Sequence, residues 1–265
     1  WNFVQNNSDL SDHHGHGTHV TGLIVQQIKK WDLNNGACPQ IAILPLKYYD
    51  QNNPLTDTLL SSIEAFKYAI RMNVQLINFS GGGSQRSKAE ESIFRLAHEK
   101  NILVVAAAGN EGANSDRQHF YPANYSFPNI LSVGSLKANH RLMKTSNYGR
   151  RTVGTADQGE NLWSSLPGGK HGFMSGTSQA TALVSGAAVV LMIKNKKQML
   201  PEELIQLLVV SGEFKSHLRG KTQASTRVNL RKALNSLDEG FSSFGFKVVH
   251  DSPLPETSFF DQNYF

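Results

Sequence analysis

The sequence lacks the features that define several common classes of protein. Cys38 is its one cysteine, so no disulfide can form within the chain and the redox compartment stays open. The 265 residues include only 9 prolines, and 39% are hydrophobic, which argues against a disordered or fibrous chain. The longest apolar run, Gly186 to Ile193, is too short to cross a bilayer. We therefore expect a globular protein without a membrane span.

A concentrated charge of one sign is also missing. The net charge is +5, but apart from 194–197 and a loose group at 219–227 the lysines and arginines are dispersed. A nucleic-acid-binding surface needs a basic stripe with interleaved aromatic residues, and no such stripe is present. We expect no nucleic-acid partner.

What the sequence does contain is an alternation of short apolar runs with segments of helical period. It predicts strands over 41–48, 74–80, 102–108 and 130–133 and helices over 58–72, 87–100, 177–194, 202–210 and 229–237. This order is typical of an α/β fold with a mostly parallel sheet covered by helices on both faces. A further strand-like run, 244–249, follows the last helix.

Polar residues stand where three of these elements meet. His16 opens a helix, Asn110 follows the strand over 102–108, and Ser178 leads into an uncharged helix. Singly, a helix cap or a turn residue would explain each of them. Because chemistry in open α/β sheets collects at the carboxyl ends of the strands, their joint occurrence indicates an active site.

Four motifs in this chain resemble those of the subtilisin-like serine proteases, or subtilases. They are HGTHVTG at 16–22, NFSGGG at 78–83, AAGNEG at 107–112 and GTSQATA at 176–182. The resemblance implies a three-layer αβα fold with a mostly parallel central sheet. It also implies a serine endopeptidase in which His16 is the general base, Ser178 the nucleophile and Asn110 the side-chain donor to the oxyanion.

The acid of the triad is not where the family has it. In the family it ends a strand before the histidine, and Asp9 and Asp12 lie in a polar loop too close to His16 to come from such a strand. The run over 244–249 ends near Asp251, so we expect a circularly permuted subtilase in which Asp251 is the acid. The single domain would then comprise 1–237, a linker over 238–243 and a permuted strand segment over 244–265.

The family's substrate strands correspond to two short segments of this chain. They would form the walls of the pocket for the residue before the scissile bond, with the substrate bound in extended form. Phe120 corresponds to the pocket floor, and its size predicts a shallow pocket that prefers small side chains. The predicted wall residues are Ser80, Gly81, Gly82, Ala107, Ala108 and Gly109.

The resemblance also sets expectations about cofactors, partners and location. We expect a polypeptide substrate, no cofactor for the chemistry, a monomer and an exported protein. The chain begins at Trp1 and not at methionine, so we expect that an upstream part, such as an inhibitory pro-segment, has been removed. Asp261 lies near a calcium-binding position of the family, so a structural calcium ion stays open as an alternative.

Two other functions are left open by the sequence. His14, His16 and His19 have part of the spacing of a zinc-hydrolase motif, although Thr18 stands where that motif has aspartate. A subtilase fold that has lost its acid would instead be a binding module, a pseudoprotease. Inhibition by a chelator would favour the zinc hydrolase over the serine protease. A turnover that does not depend on Asp251 would reject the permuted triad.

Overall fold

The structure is a computed structural model that describes residues 1–31, 41–53, 55–195 and 199–239. Asp251, Asp261, Cys38 and the predicted strand over 244–249 lie outside these residues. The permuted strand and the domain boundaries drawn from it therefore stay predictions.

The predicted helices are confirmed, and no end differs from the prediction by more than one residue. The α-helices of the described residues are α1 His16–Lys30, α2 Thr58–Arg71, α3 Lys88–Glu99, α4 Thr177–Lys194, α5 Pro201–Val210 and α6 Leu230–Asp238. The strands are β1 Leu76–Phe79, β2 Leu103–Ala107, β3 Ile130–Leu136, β4 Thr155–Gln158, β5 Leu162–Leu166, β6 Lys170–Met174, β7 Glu213–Phe214 and β8 Thr226–Arg227.

The main sheet is mostly parallel, as predicted. Its six strands lie in the order β1-β2-β3-β4-β8-β7, and only the β7–β8 pair is antiparallel. Strands β5 and β6 form a separate antiparallel hairpin, which packs against α1. The carboxyl ends of all the parallel strands lie at the same end of the sheet, so the residues that follow β1, β2 and β3 are close together there.

Strand β2 shows why the fold has three layers. Its residues are fully or almost fully buried, and successive side chains enter different cores. Val105 packs in the core formed with α4, α5 and α6, whereas Val104 packs with Phe66 of α2 and Phe94 of α3. A strand covered on both faces has no polar alternation, which explains the continuous apolar run in the sequence.

Helix α4 is long and apolar enough to cross a membrane by length and composition, but 72% of it is buried inside the protein. It packs against α1 and against β1 to β4. α4 is therefore a central core helix. Its packing on the sheet places its first turn beyond the carboxyl ends of the parallel strands.

The strand predicted over 41–48 is wrong. The segment is extended, but its one pairing is an isolated parallel bridge between Lys47 and Asn2. Ile43 is 48% exposed, and Pro45 has no N–H to donate to a ladder. A strand needs a neighbour along its length, and within the described ranges this segment pairs only with residues 1–3, near Lys47. It does not join the main sheet, so β1 is the outermost described strand on that side.

Candidate active site

Asp12 fixes the start of the helix that carries His16. Its carboxylate accepts hydrogen bonds from the N–H groups of Gly15 and Thr18, at 2.7 and 2.9 Å, and from Thr18 Oγ1 at 2.7 Å. The first N–H groups of a helix have no partner within the helix, and Asp12 supplies one. Its oxygens therefore cap α1, and this role accounts for Asp12 without a part in a triad.

The surroundings of His16 favour its neutral form. Burial lowers the pKa of its imidazole below the usual value, and the nearby His14 lowers the pKa further. The rings of the two histidines have centroids 6.1 Å apart. A neutral imidazole is the form that can take a proton, so His16 is in the state that a general base requires at neutral pH.

His19 points away from this position. Its side chain is fully buried, and Nε2 lies 3.0 Å from the carbonyl oxygen of Leu162 and 3.2 Å from that of Gly172. Carbonyl oxygens only accept, so Nε2 must carry a hydrogen and is not a metal ligand. Across the described ranges, no group of three or more His, Cys, Asp or Glu side chains could hold a metal ion. The zinc alternative gains no support from the structure.

The starts of α1 and α4 are neighbours. Val20 packs with Ala182, and one to two turns further along, Gln27 lies against Gly186. The two helices therefore run side by side in the same direction. Their first turns, which carry the predicted base and nucleophile, stand at the same end of the pair.

Ser178 is tied to the end of strand β1. Its Oγ donates a hydrogen bond to the carbonyl oxygen of Ser80 at 3.2 Å, and Ser80 Oγ donates to the carbonyl oxygen of Ser178 at 3.0 Å. Ser80 Oγ in turn accepts a bond from Asn78 Nδ2 at 3.1 Å, and Asn78 Oδ1 accepts one from Ser185 Oγ at 2.8 Å. This chain of bonds joins the start of α4, which carries the predicted nucleophile, to the predicted substrate-binding segment after β1.

Asn110 is bonded to Thr177, the residue directly before Ser178. Asn110 Oδ1 accepts hydrogen bonds from Thr177 N at 2.9 Å and from Thr177 Oγ1 at 3.2 Å. With its oxygen committed to α4, the amide has its Nδ2 donor on the opposite side. A Cβ at Gly176 would lie 3.2 Å from Asn110 Oδ1, and the φ of +151° at Gly176 also disfavours a side chain. The start of α4 is therefore built around Asn110.

The predicted pocket residues are also brought together. The segment after β1 pairs with Tyr121 through two hydrogen bonds to Gly83, at 2.9 and 2.7 Å. The Phe120 ring fills the space between the two predicted walls, because a Cβ at Gly82 would lie 2.5 Å from the ring and a Cβ at Gly109 3.0 Å from it.

Two residues near the site were not indicated by the sequence. Tyr48 packs on Phe79, with ring centroids 5.3 Å apart, and its hydroxyl lies beside Gly81. Burial and the charge of Glu90 raise the pKa of Tyr48 to about 12. Asn147 is buried beneath the segment that contains Asn110. Neither position has a periodic or motif signal in a single sequence.

The structure is a three-layer α/β protein in which Ser80, Asn110 and Ser178 lie together beyond the carboxyl ends of the parallel strands. Residues 1–234 match the Subtilase family. The chain belongs to this family, as the four motifs predicted.

Named relatives and solved structures agree with this assignment. The chain is 34% identical over 191 residues to the thermophilic serine proteinase of Bacillus sp. (strain AK1), covering 72% of this chain and 46% of that protein. It is 33% identical over 184 residues to the major intracellular serine protease of Bacillus subtilis (strain 168), covering 69% and 56%. The chain thus spans about half the length of these relatives.

Among solved structures, a lanthipeptide protease superposes with a TM-score of 0.76 at 20% identity, covering 89% of this chain and 80% of that one. The self-cleaved protease domain of PatA superposes with a TM-score of 0.68 at 28% identity, covering 85% and 84%. The predicted subtilisin-like fold is confirmed, while no permutation is seen among the described residues.

Proposed function

We propose that the protein is a serine endopeptidase that cleaves peptide bonds through an acyl-enzyme. The observation that carries this proposal is the joining of Ser178 and Asn110 through Thr177, with Ser80 bonded to Ser178 on the other side. A nucleophile, an amide donor and a substrate strand are thereby held within one hydrogen-bonded unit. The relatives compared above are proteases by name, which supports the same reaction class.

The chemistry follows from the protonation states of these groups. Neutral His16 takes the proton of Ser178 Oγ as that oxygen attacks the peptide carbonyl carbon. The carbonyl oxygen becomes an anion, and Asn110 Nδ2 donates a hydrogen bond to it. His16 then returns the proton to the leaving amine, and water releases the acyl group by the same steps in reverse. These steps use only groups of the polypeptide and need no cofactor.

The acid that holds the tautomer of His16 is proposed to be Asp251, from the permuted strand. Two observations support this proposal. Asp12 is committed to the cap of α1, and Asp9 accepts hydrogen bonds from Ser11 N at 2.9 Å and from Ser11 Oγ at 2.6 Å. Within the part of the chain that the structure describes, β1 also has a partner on one side only, which leaves room for one more parallel strand.

Labelling with a serine-directed phosphonate tests the proposed function. We expect the reagent to modify Ser178 stoichiometrically, as mapped by peptide mass spectrometry, and to abolish peptide hydrolysis. The Ser178→Ala variant should neither react nor hydrolyse, while Ser175→Ala, three residues before it, should react normally. Labelling elsewhere, or hydrolysis by Ser178→Ala, would overturn the proposal. If a chelator abolishes hydrolysis and the phosphonate does not label Ser178, the zinc alternative is favoured. If the protein is folded but neither reacts with the phosphonate nor hydrolyses peptides, the pseudoprotease is favoured.

The substrate is proposed to bind as an extended strand between the segments 80–82 and 107–109, with a small side chain before the scissile bond. The Phe120 ring between these walls is the support for a shallow pocket. Export from the cell stays a prediction, since one relative is by name an intracellular protease.

Replacing Phe120 with glycine should reverse this preference. We expect the parent to cleave substrates with alanine at that position best, and Phe120→Gly to raise kcat/KM for phenylalanine relative to alanine by at least about 10-fold, as the emptied pocket accepts a ring. Competition between peptides in one library measures the ratio directly. Phe214→Gly removes an exposed aromatic side chain on β7 and should leave the order unchanged. A parent that already cleaves best after large aromatic residues would contradict the shallow pocket.

A further inference from the structure

Asn147 is a buried side chain for which the mechanism above has no use. It is 1% exposed and lies between β3 and β4, in a segment that runs beside the loop after β2. Burial of an amide costs free energy unless its donors and acceptors are satisfied. The side-chain amide of Asn147 has hydrogen-bond partners for its oxygen and for both N–H groups, and every one of these partners lies in the loop that contains Asn110.

The hydrogen bonds of Asn147 reach both sides of Asn110. Before it, Asn147 Nδ2 donates to the carbonyl oxygen of Ala108 at 2.9 Å, and Asn147 N donates to that of Gly109 at 3.0 Å. After it, Asn147 Oδ1 accepts from Ala113 N at 2.8 Å and from Glu111 N at 3.2 Å. The second hydrogen of Nδ2 goes to Glu111 Oε2 at 2.6 Å.

Asn110 itself is exposed and depends on these neighbours for its position. Its own side chain is held only by Thr177 among the described residues, through the oxygen. The direction of Nδ2 toward a substrate is therefore set by the backbone on either side, and that backbone is bonded to Asn147. The next backbone bond along this loop, from Gly112 N to the carbonyl oxygen of Thr145 at 2.7 Å, lies further from Asn110 than the bonds of Asn147 to Gly109 and Glu111.

We propose that Asn147 is a positioning residue, which holds the loop so that Asn110 Nδ2 meets the oxyanion, with the Glu111 carboxylate orienting the Asn147 amide. The inference rests on the proposed function, since it concerns the donor of that same reaction. Asn147 touches no substrate. Its effect is exerted through Asn110, and this dependence is what distinguishes it from a residue needed only for stability.

The Asn147→Asp variant tests the orientation of the amide. The atom that replaces Nδ2 would face two acceptors, the Ala108 carbonyl and the Glu111 carboxylate, so the new carboxyl must keep a proton to restore even one of the two bonds. We expect kcat to fall by about 10- to 100-fold at pH 8, with a smaller loss at pH 5 and little change in KM. In the Asn147→Asp background, the further substitution Glu111→Gln supplies an N–H donor to the new carboxylate and should recover part of kcat at pH 8.

Asn129→Asp is the matched control. Asn129 is also fully buried, and its Nδ2 donates to the Ile102 carbonyl at 2.7 Å, at the opposite end of β2 from the site. This variant should lower the unfolding midpoint without a pH-dependent loss of kcat. If Asn147→Asp shows only that pattern, Asn147 is structural and the inference is wrong.

A double-mutant cycle separates positioning from folding. In an Asn110→Ala background the donor is gone, so Asn147→Asp or Asn147→Ala should cost less than about threefold further in kcat. Full additivity would overturn the inference, and Asn147→Ala keeps the test valid if the aspartate variant does not fold. If the parent protein does not react with the phosphonate, the proposed function itself is rejected. The Asn147 variants cannot give that result, because they are compared with a parent that reacts.

Discussion

Replacing Asp251 with alanine is expected to lower kcat by about 10⁴-fold, the loss known when the triad acid of a serine protease, subtilisin included, is removed. Without the carboxylate, His16 is free to adopt the wrong tautomer and its imidazolium form loses a partner. The loss of the carboxylate should also shift the pH profile of kcat/KM. A nearby carboxylate raises the pKa of an imidazole, so the acid limb of kcat/KM should move to lower pH in Asp251→Ala.

Two control variants make this result specific. Asp261→Ala removes a carboxylate from the same C-terminal segment and should leave kcat unchanged. Asp12→Ala should instead reduce the free energy of unfolding, because Asp12 caps α1. An unchanged turnover in Asp251→Ala would reject the permuted triad and direct the search for the acid elsewhere.

Replacing Asn110 with alanine should lower kcat by about 10²- to 10³-fold with KM nearly unchanged, a magnitude established for the corresponding donor of a subtilisin. The donor bonds the oxygen only once it carries negative charge, so substrate binding is little affected. Active-site titration with the phosphonate corrects the rate for the fraction of folded enzyme.

A second variant at this position separates the two ends of the amide. Asn110→Asp keeps an oxygen to accept the bond from Thr177, so it should retain more of the unfolding midpoint than Asn110→Ala. It puts negative charge where the donor stood and should lower kcat at least as far. Asn114→Ala, four residues along, removes one hydrogen bond to Asp116 N, so it should lower the unfolding midpoint slightly and leave kcat unchanged. Equal losses of kcat and stability across the series would show that Asn110 only caps α4.

The sequence was informative where one local rule determined the outcome. A continuous apolar run such as β2 is typical of a strand covered on both faces, and the uncharged run of α4 predicts a helix that is apolar all round. The motifs at His16, Asn110 and Ser178 are local in the same sense, since each occupies a short segment next to a strand or helix end.

Features that depend on distant partners could not be predicted in this way. The segment 41–48 has the composition of a strand, but a strand forms only beside a neighbour, and this one has a single bridge. β7 and β8 are two residues long, too short for a period-2 pattern. Asn147 looks like any turn asparagine until the fold brings it beneath the loop of Asn110.

An uncovered side of β1 would also affect how the molecule behaves in concentrated solution. Over the residues that the structure describes, the backbone N–H and C=O groups of Leu76–Phe79 are paired only with β2. An uncovered sheet edge is a template on which a second copy can add its own strand, the first step of self-association and of strand exchange. A strand that covers β1 would therefore do two things at once, placing an acid near His16 and keeping the protein monomeric.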